Sequence, residues 1–514
     1  TVEKLAIEGR TLEKTQDDTN LRHAIYRLHP ALRPGEELCL TIEARLAYKG
    51  FHQSDFQSDL TYNGTVLGTD FLPFFGYDRS RELTNNRKRL GQGLSLRDSR
   101  MSGADNAFSR ANRFESLQSD GLTWNMVVST DADQRIIGPG EEIKTWRDQG
   151  RNYAQYTSQR PGAMDFKIIS AKFATREFIC QGVTCQLFHI PRHTYNLAVF
   201  QDAMKKAIPW LTARLGPYPH SHALVIEKPF YDDEFLSFVN VAAISENRGW
   251  TADIKEKEDG QYIHLIVAEQ LARQWILASL KVADVQGAQL LTESIARYYA
   301  FRFMDEMWGP DQTSKWLNQA YDDYEKGRGE EGIVEKPLLL VDKASYISRH
   351  KGGLALYALA QQIGPKFFDH WLAGWVAQAA QEKDFLTSAV FYEALKEVLP
   401  SGLFPFARDW LEKRVQYSLS LIHTQVENQR IALTVQATKQ EHDNKSNIQT
   451  VPFSTSLEVG FINDAGEMKE IKRIMLKAGE HVYGLDCSFI PKAVILDPHH
   501  WYLVESRQSC FRKL

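Results

Sequence analysis

The chain has 514 residues, with 61 Lys and Arg against 65 Asp and Glu and a formal net charge of −4. Its 43% hydrophobic, 25% charged and 11% aromatic content is that of an ordinary globular protein, and its length points to about three domains. Scattered basic residues and a near-neutral balance argue against nucleic acid or an anionic membrane surface as partner, and no run of 18 or more apolar residues is present to cross a bilayer.

The chain opens on Thr1 without a secretory signal, which reads as a processed product or a piece of something longer. Residues 1–190 are expected to form a β domain, with short alternating stretches at 38–44 and 166–170 broken by turn residues. Residues 79–120 are rich in Arg, Ser, Asp and Asn and read as a long surface excursion with some local helix. Of the five cysteines, Cys180 and Cys185 flank a hairpin signal. A turn at Gly182-Val183 would set them opposite each other as a candidate disulfide, whereas a turn at Gln181-Gly182 would break that register. The sequence leaves both open.

Helical spacing begins near 195 and ends at Gly216-Pro217-Tyr218-Pro219, because proline removes a donor and fixes φ. A buried strand is expected at 223–226. Helices follow near 260–279, 288–307, 311–326, 351–362, 365–380 and 386–398. From about 416 the pattern turns to β again, with strands at 431–435, 456–460 and 493–496 separated by Asn, Asp and Gly, as in a small antiparallel sandwich. The expected division is therefore 1–190, 191–415 and 416–514.

Chemistry concentrates in the middle domain. Glu269-Gln270-Leu271-Ala272-Arg273-Gln274-Trp275 has the frame of a zinc-peptidase helix, His-Glu-x-x-His-Gln-Trp, in which two histidines four apart share a helix face and bind the metal while the Glu is the general base. Here those three positions are Glu269, Arg273 and Gln270. Taken alone, Glu269 and Arg273 are an ordinary i, i+4 ion pair. Downstream, Leu290-Leu291-Thr292-Glu293-Ser294 places Glu293 near the start of the next helical stretch, twenty residues after Arg273. Upstream, Ala242-Ala243-Ile244-Ser245-Glu246-Asn247 ends in Glu-Asn. Further on, Tyr346-Ile347-Ser348-Arg349-His350-Lys351-Gly352 ends in Lys-Gly, with Arg349 two residues before the Lys.

In order and spacing these stretches resemble the aminopeptidase-N-like gluzincins, a zinc aminopeptidase family. The nearest likeness is to the peptidase-like domains of some bacterial ABC-transporter permeases, a branch that Phe75-Gly76-Tyr77-Asp78, Ala283-Asp284-Val285-Gln286-Gly287-Ala288 and Lys351-Gly352 fit. The resemblance implies a multidomain α+β fold: an N-terminal β saddle, a thermolysin-like, mostly helical middle domain and a C-terminal β sandwich. It assigns Glu246 to binding a substrate amine, Glu293 to the third metal ligand and position 349 to the tyrosine that stabilises the oxyanion. It also implies a membrane-anchored parent, with this soluble domain on the extracytoplasmic (periplasmic) side.

The departures remove the chemistry. Arginine has no lone pair for a metal, and the amide of Gln270 cannot take a proton at neutral pH. No tyrosine stands at 349, and Tyr346 is three residues early. No catalytic residue and no zinc are therefore expected. Crowded carboxylates still need a cation, so the Arg273 guanidinium is expected to take the metal's place between Glu269 and Glu293, with Arg349 offsetting Glu246 or the cavity at large. The expected function is a catalytically inactive peptide-binding or regulatory module of an ABC-type transport protein. The alternatives are an active metallo-aminopeptidase with a non-standard site at Glu269, Glu293 and His264, or a structural domain with a collapsed cleft.

Overall fold

The computed structural model describes residues 2–18, 23–47, 60–61, 63–68, 76, 82–83, 85–97, 99–114, 122–158, 167–229, 235–254, 260–331, 334–427, 429–443 and 447–514. The segment containing Phe75, Tyr77 and Asp78 lies outside them. The architecture is multidomain α+β, with N-terminal sheets, a helical middle and C-terminal strands.

The N-terminal part consists of antiparallel ladders. β1 (Val2–Ile7) pairs with β4 (Leu40–Ala44), and β2 (Thr11–Asp18) with β3 (His23–His29). β5 (Gly64–Leu67) and β7 (Arg135–Ile137) flank β10 (Ile168–Ala171), and β6 (Asn125–Asp131) and β8 (Glu141–Asp148) flank β9 (Arg151–Thr157). The polar segment expected to be a surface excursion carries two short helices, α1 (Asn86–Gly91) and α2 (Ala107–Arg110), each capped by an Asn side chain. Its later half is anchored rather than solvated. Met101 and Phe114 are buried in the main core, and Phe114 N–H donates to Val282 O at 2.7 Å.

A five-stranded sheet follows in the order β11 (Ala174–Cys180), β12 (Val183–His189), β13 (His222–Lys228), β15 (Val241–Ser245), β14 (Phe235–Phe238). β12, β13 and β15 run parallel, so the sheet crosses the expected boundary at 190. The β11–β12 hairpin turns at Gln181 (φ 48°) and Gly182 (φ 80°), the positive-φ pair of a type I′ turn. This sets Cys180 opposite Val183 and Cys185 opposite Phe178, so the candidate disulfide is not formed and both thiols are free. A register one residue away from the bridging one is enough to separate them.

α3 (Leu197–Leu215) buries Phe200, Met204, Ile208 and Leu211 against α4 (Gln261–Ser279), which buries Glu269, Gln270 and Gln274 among its apolar residues. A π-helical turn, Leu290–Ser294, leads into α5 (Ile295–Trp308), and a second, Tyr346–Lys351, leads into α7 (Gly352–Ile363). Between them lies α6 (Pro310–Glu330); α8 (Pro365–Ala379), α9 (Ser388–Val398) and α10 (Phe404–Leu411) complete the helical part. Each expected helix is present, and α10 is additional. Proline or glycine starts or stops several of them, with Gly309-Pro310 and Gly364-Pro365 each ending one helix and starting the next.

The C-terminal strands form two four-stranded sheets. One holds β16 (Arg414–Glu427), β17 (Arg430–His442), β18 (Ile448–Val451) and β21 (Gly479–Asp486); the other holds β19 (Ser454–Ile462), β20 (Met468–Lys477), β22 (Ala493–Leu496) and β23 (Phe511–Lys513). Alternate residues Ile431, Leu433, Val435 and Ala437 of β17 face the same core as Leu457, Val459 and Phe461 of β19.

Candidate functional site

Glu269 and Arg273 share one face of α4, as their spacing requires. Glu269 is 4% exposed, and its counter-ions come from two other elements. Arg297, in the first turn of α5, donates Nη1–H to Oε2 at 2.7 Å. Arg349, in the turn before α7, donates Nε–H to Oε1 at 2.5 Å and Nη2–H to Oε2 at 2.9 Å. The Arg349 contact is the bidentate fork that suits a carboxylate. Each guanidinium also lies over an aromatic ring, Arg297 on Phe301 and Arg349 on Phe235. Burial alone would raise the Glu269 carboxyl; Arg349 and then Arg297 outweigh it and hold it down at about 2.

This corrects the expected arrangement of charges. Arg273 Nη2 stands 3.9 Å from Glu293 Oε1 and forms no ion pair with Glu269 within 4.0 Å among the described residues. Arg349 neutralises Glu269 rather than Glu246. The reason is reach: Arg273 sits one turn further along α4, toward the start of α5, whereas Arg297 lies one turn beyond Glu293 and faces Glu269 directly. Arg297 was not singled out in the sequence. Its i+4 spacing from Glu293, as one cation in an otherwise apolar stretch, was the available signal.

Glu293 accepts from Gln289 Nε2 at 2.9 Å and from Ser348 Oγ at 2.5 Å. Gln270 is 3% exposed, with its Oε1 buried and unpartnered among the described residues. Tyr346 stacks on Tyr324 of α6. A tetrahedral zinc needs lone pairs from imidazole, thiolate or free carboxylate oxygens. Here one ligand position is a guanidinium, and the oxygens of Glu269 and Glu293 already accept hydrogen bonds. The residues at this position do not fit that metal. Nor does His264 join it: its ring nitrogens contact Asp202 Oδ2 at 2.9 Å and Gly260 O at 3.0 Å.

A second constellation lies at the carboxyl ends of the three parallel strands, where ligands of open α/β sheets gather. His193 follows β12, Glu227 stands near the end of β13 and Glu246 follows β15; all three are buried. His193 Nδ1 is 2.5 Å from Glu227 Oε1, and its Nε2 is 3.6 Å from Glu246 Oε1. Asn63 donates to Glu246 Oε2 at 2.6 Å, which brings the N-terminal part into the site. Burial pushes the Glu227 carboxyl up to about 7, and Glu246 adds to the rise, against the hydrogen bonds from His193 and Ile190 N–H. One potential ligand atom from each of the three lies within 4.8 Å of the others, close enough to hold a metal. Against that, Arg192 Nε–H points at His193 Nε2 at 3.3 Å, so a cation already faces the imidazole lone pair. Of this trio the sequence singled out Glu246 alone; the other two are single polar residues near strand ends.

No family model matches the chain, and no curated protein matches it. Among solved structures it is similar to aminopeptidase A of Legionella pneumophila, determined in complex with aspartic acid: TM-score 0.52 at 13% identity, over 75% of this chain and 45% of that one. An M1 zinc metallopeptidase from Deinococcus radiodurans, solved as a mutant, aligns at TM-score 0.45 and 18% identity, over 57% of this chain and 64% of that one. The chain thus spans less than half the length of the first of these proteins and less than two thirds of the second. At such identities the likeness concerns architecture: three quarters of this chain is aminopeptidase-like in fold.

Proposed function

We propose that the chain is a catalytically inactive aminopeptidase-like domain that serves as a ligand-binding or regulatory module, carried by an ABC-type membrane transport protein and exposed on the extracytoplasmic side. The observation that supports inactivity is the clamp on Glu269. Two guanidinium groups occupy the carboxylate at a zinc-ligand position, a third arginine stands at another, and an amide replaces the base. Hydrolysis by a zinc-bound hydroxide needs the metal, a base and an oxyanion donor together. The transporter context rests on the sequence resemblance; no helix among the described residues is long and apolar enough to cross a membrane.

Binding is supported by the buried trio. Glu227 and Glu246 stand with His193 at the carboxyl edge of the sheet, where ligands of open α/β sheets gather, and carboxylates there suit a ligand bearing a basic group, such as a peptide amino terminus. Calorimetric titration with a panel of short peptides is expected to show binding that Glu246→Gln abolishes. No heat at millimolar peptide removes the binding role. Metal analysis with an aminoacyl-arylamide assay tests inactivity, and stoichiometric zinc with chelator-sensitive turnover would overturn it. The second reading, a metal-dependent enzyme, has one observation in its favour: the metal-sized spacing of His193, Glu227 and Glu246. In that case bound metal would be lost in His193→Gln.

A further inference from the structure

Away from this cleft, the C-terminal end of α6 meets the start of β16 and the end of β17 around a cavity of about 180 Å³. At ~30 Å³ per water, this is room for about six water molecules, enough for a small polyatomic ion. Arg328, Glu331, Glu335 and Arg414 line it with Tyr324 and His442, whose imidazole is held toward its neutral form by burial and by Arg328 and Arg414.

Most of these charges are matched. Glu335 takes Lys351 Nζ at 2.7 Å and Arg328 Nε at 3.3 Å. Arg328 also reaches Glu325 at 3.6 Å, and Glu331 takes Arg100 Nη2 at 2.6 Å. Arg414 differs. It is 7% exposed, yet its guanidinium has no carboxylate within 4.0 Å and no hydrogen-bond acceptor among the described residues, and its Nη2 is fully buried. His442, its partner across the β16–β17 ladder, has a buried Nε2 that is likewise unpartnered. Glu335 and Asp443 attract Arg414 only from beyond contact distance, and removing a charge from water without a counter-ion in contact is costly. Two unused nitrogens on neighbouring strands border the same cavity, and a guanidinium fork matches the oxygens of a tetrahedral anion.

We propose that this cavity is a binding site for a small oxyanion of the phosphate or sulfate class, held by Arg414 and His442 with Arg328 beside them. The site joins the helical middle to the C-terminal sheet, so occupation ties α6 to β16 and β17. The carbonyl end of α6 lies at the cavity and opposes an anion, so the Arg414 and Arg328 guanidinium groups must outweigh it. Glu331 and Glu335 are each already held by their own cations, which limits the site to one anion.

Isothermal titration of the purified protein with inorganic phosphate and with sulfate, at constant ionic strength in chloride, is expected to show one saturable site. Arg414→Met is expected to weaken it at least about tenfold. The same variant's unfolding midpoint in phosphate-free buffer is expected to hold or rise, because an uncompensated charge has gone. A midpoint that falls would mean that Arg414 is paired within the protein, which overturns the proposal. So would the absence of saturable binding at millimolar anion, or unchanged affinity in the variant. If Arg414→Met does not fold, His442→Gln gives the same affinity reading: weaker binding supports the site and unchanged binding overturns it.

Discussion

A carboxylate between two guanidinium groups is stable only as a set. Glu269 and Arg297 are buried and Arg349 is partly exposed, so the triad carries one net positive charge around a buried carboxylate. Glu269→Ala leaves two cations facing each other and is expected to lower stability by about 3–5 kcal/mol, as the loss of one partner from a buried pair does. Replacing all three residues by apolar ones of similar volume is expected to restore most of that loss. Denaturant midpoints at neutral pH measure both, and a single variant as stable as the parent protein would show that the clamp is solvated. The clamp was half legible: position 269 was expected to need a cation, but the cation's identity depends on how α5 and α7 pack on α4, which no local spacing encodes.

At the scale of elements, the hairpin and the Lys-Gly turn carry the sharpest constraints. The type I′ turn at Gln181-Gly182 keeps Cys180 and Cys185 apart, and burial pushes the Cys185 thiol up to about 12. Thiol titration is expected to find five free thiols in denaturant, with exposed Cys39 reacting fastest in the native protein; fewer than five would contradict the register. Lys351-Gly352-Gly353 begins α7 against α5, with Lys351 buried and bound to Glu335. A Cβ on Gly352 would lie 2.0 Å from Ser294 Oγ, next to Glu293. Gly352→Ala is therefore expected to cost about 1–3 kcal/mol by overpacking, read as a fall in thermal midpoint; an unchanged midpoint would mean α7 can shift freely. The helices were legible because their apolar periods are long and their ends carry Gly and Pro. The hairpin register was not, because both candidate turns contain Gly182. The anchoring of residues 99–114 was hidden by a polar composition in which Met101 and Phe114 are isolated apolar residues.

For the whole molecule, the clamp predicts a response to acid. Glu269 is held at about 2 in the folded chain, against an ordinary value of 4.5 when unfolded. Its contribution is complete above 4.5 and is lost as pH falls toward 2, because the unfolded chain takes up the proton first. The unfolding free energy of the parent protein is expected to fall more steeply over that interval than that of a variant with apolar residues at 269, 297 and 349. Equal slopes would remove Glu269 from the account. The overall β–helical–β layout could be read from the sequence because composition changes near 194 and again near 416. The placement of β11 and β12 in the sheet of the middle part could not, since a strand's partner is set by parallel pairing with β13 far along the chain.

The π-helical turn Leu290–Ser294 holds one residue more than an α-turn would, just before the helix that bears Arg297. Each residue advances a helix by about 100° and 1.5 Å. Deleting Leu291 alone would close that turn to a regular one and shift the phase between everything before it and everything after it. Glu293 and Arg297 would keep their spacing from each other but lose their bearing on α4, and the charges would be set adrift with every one of them still encoded. The site is in this sense as sensitive to reading-frame-preserving deletions as to substitutions. A one-residue deletion there that kept full stability would show that the phase of α5 is not what aligns the two helices.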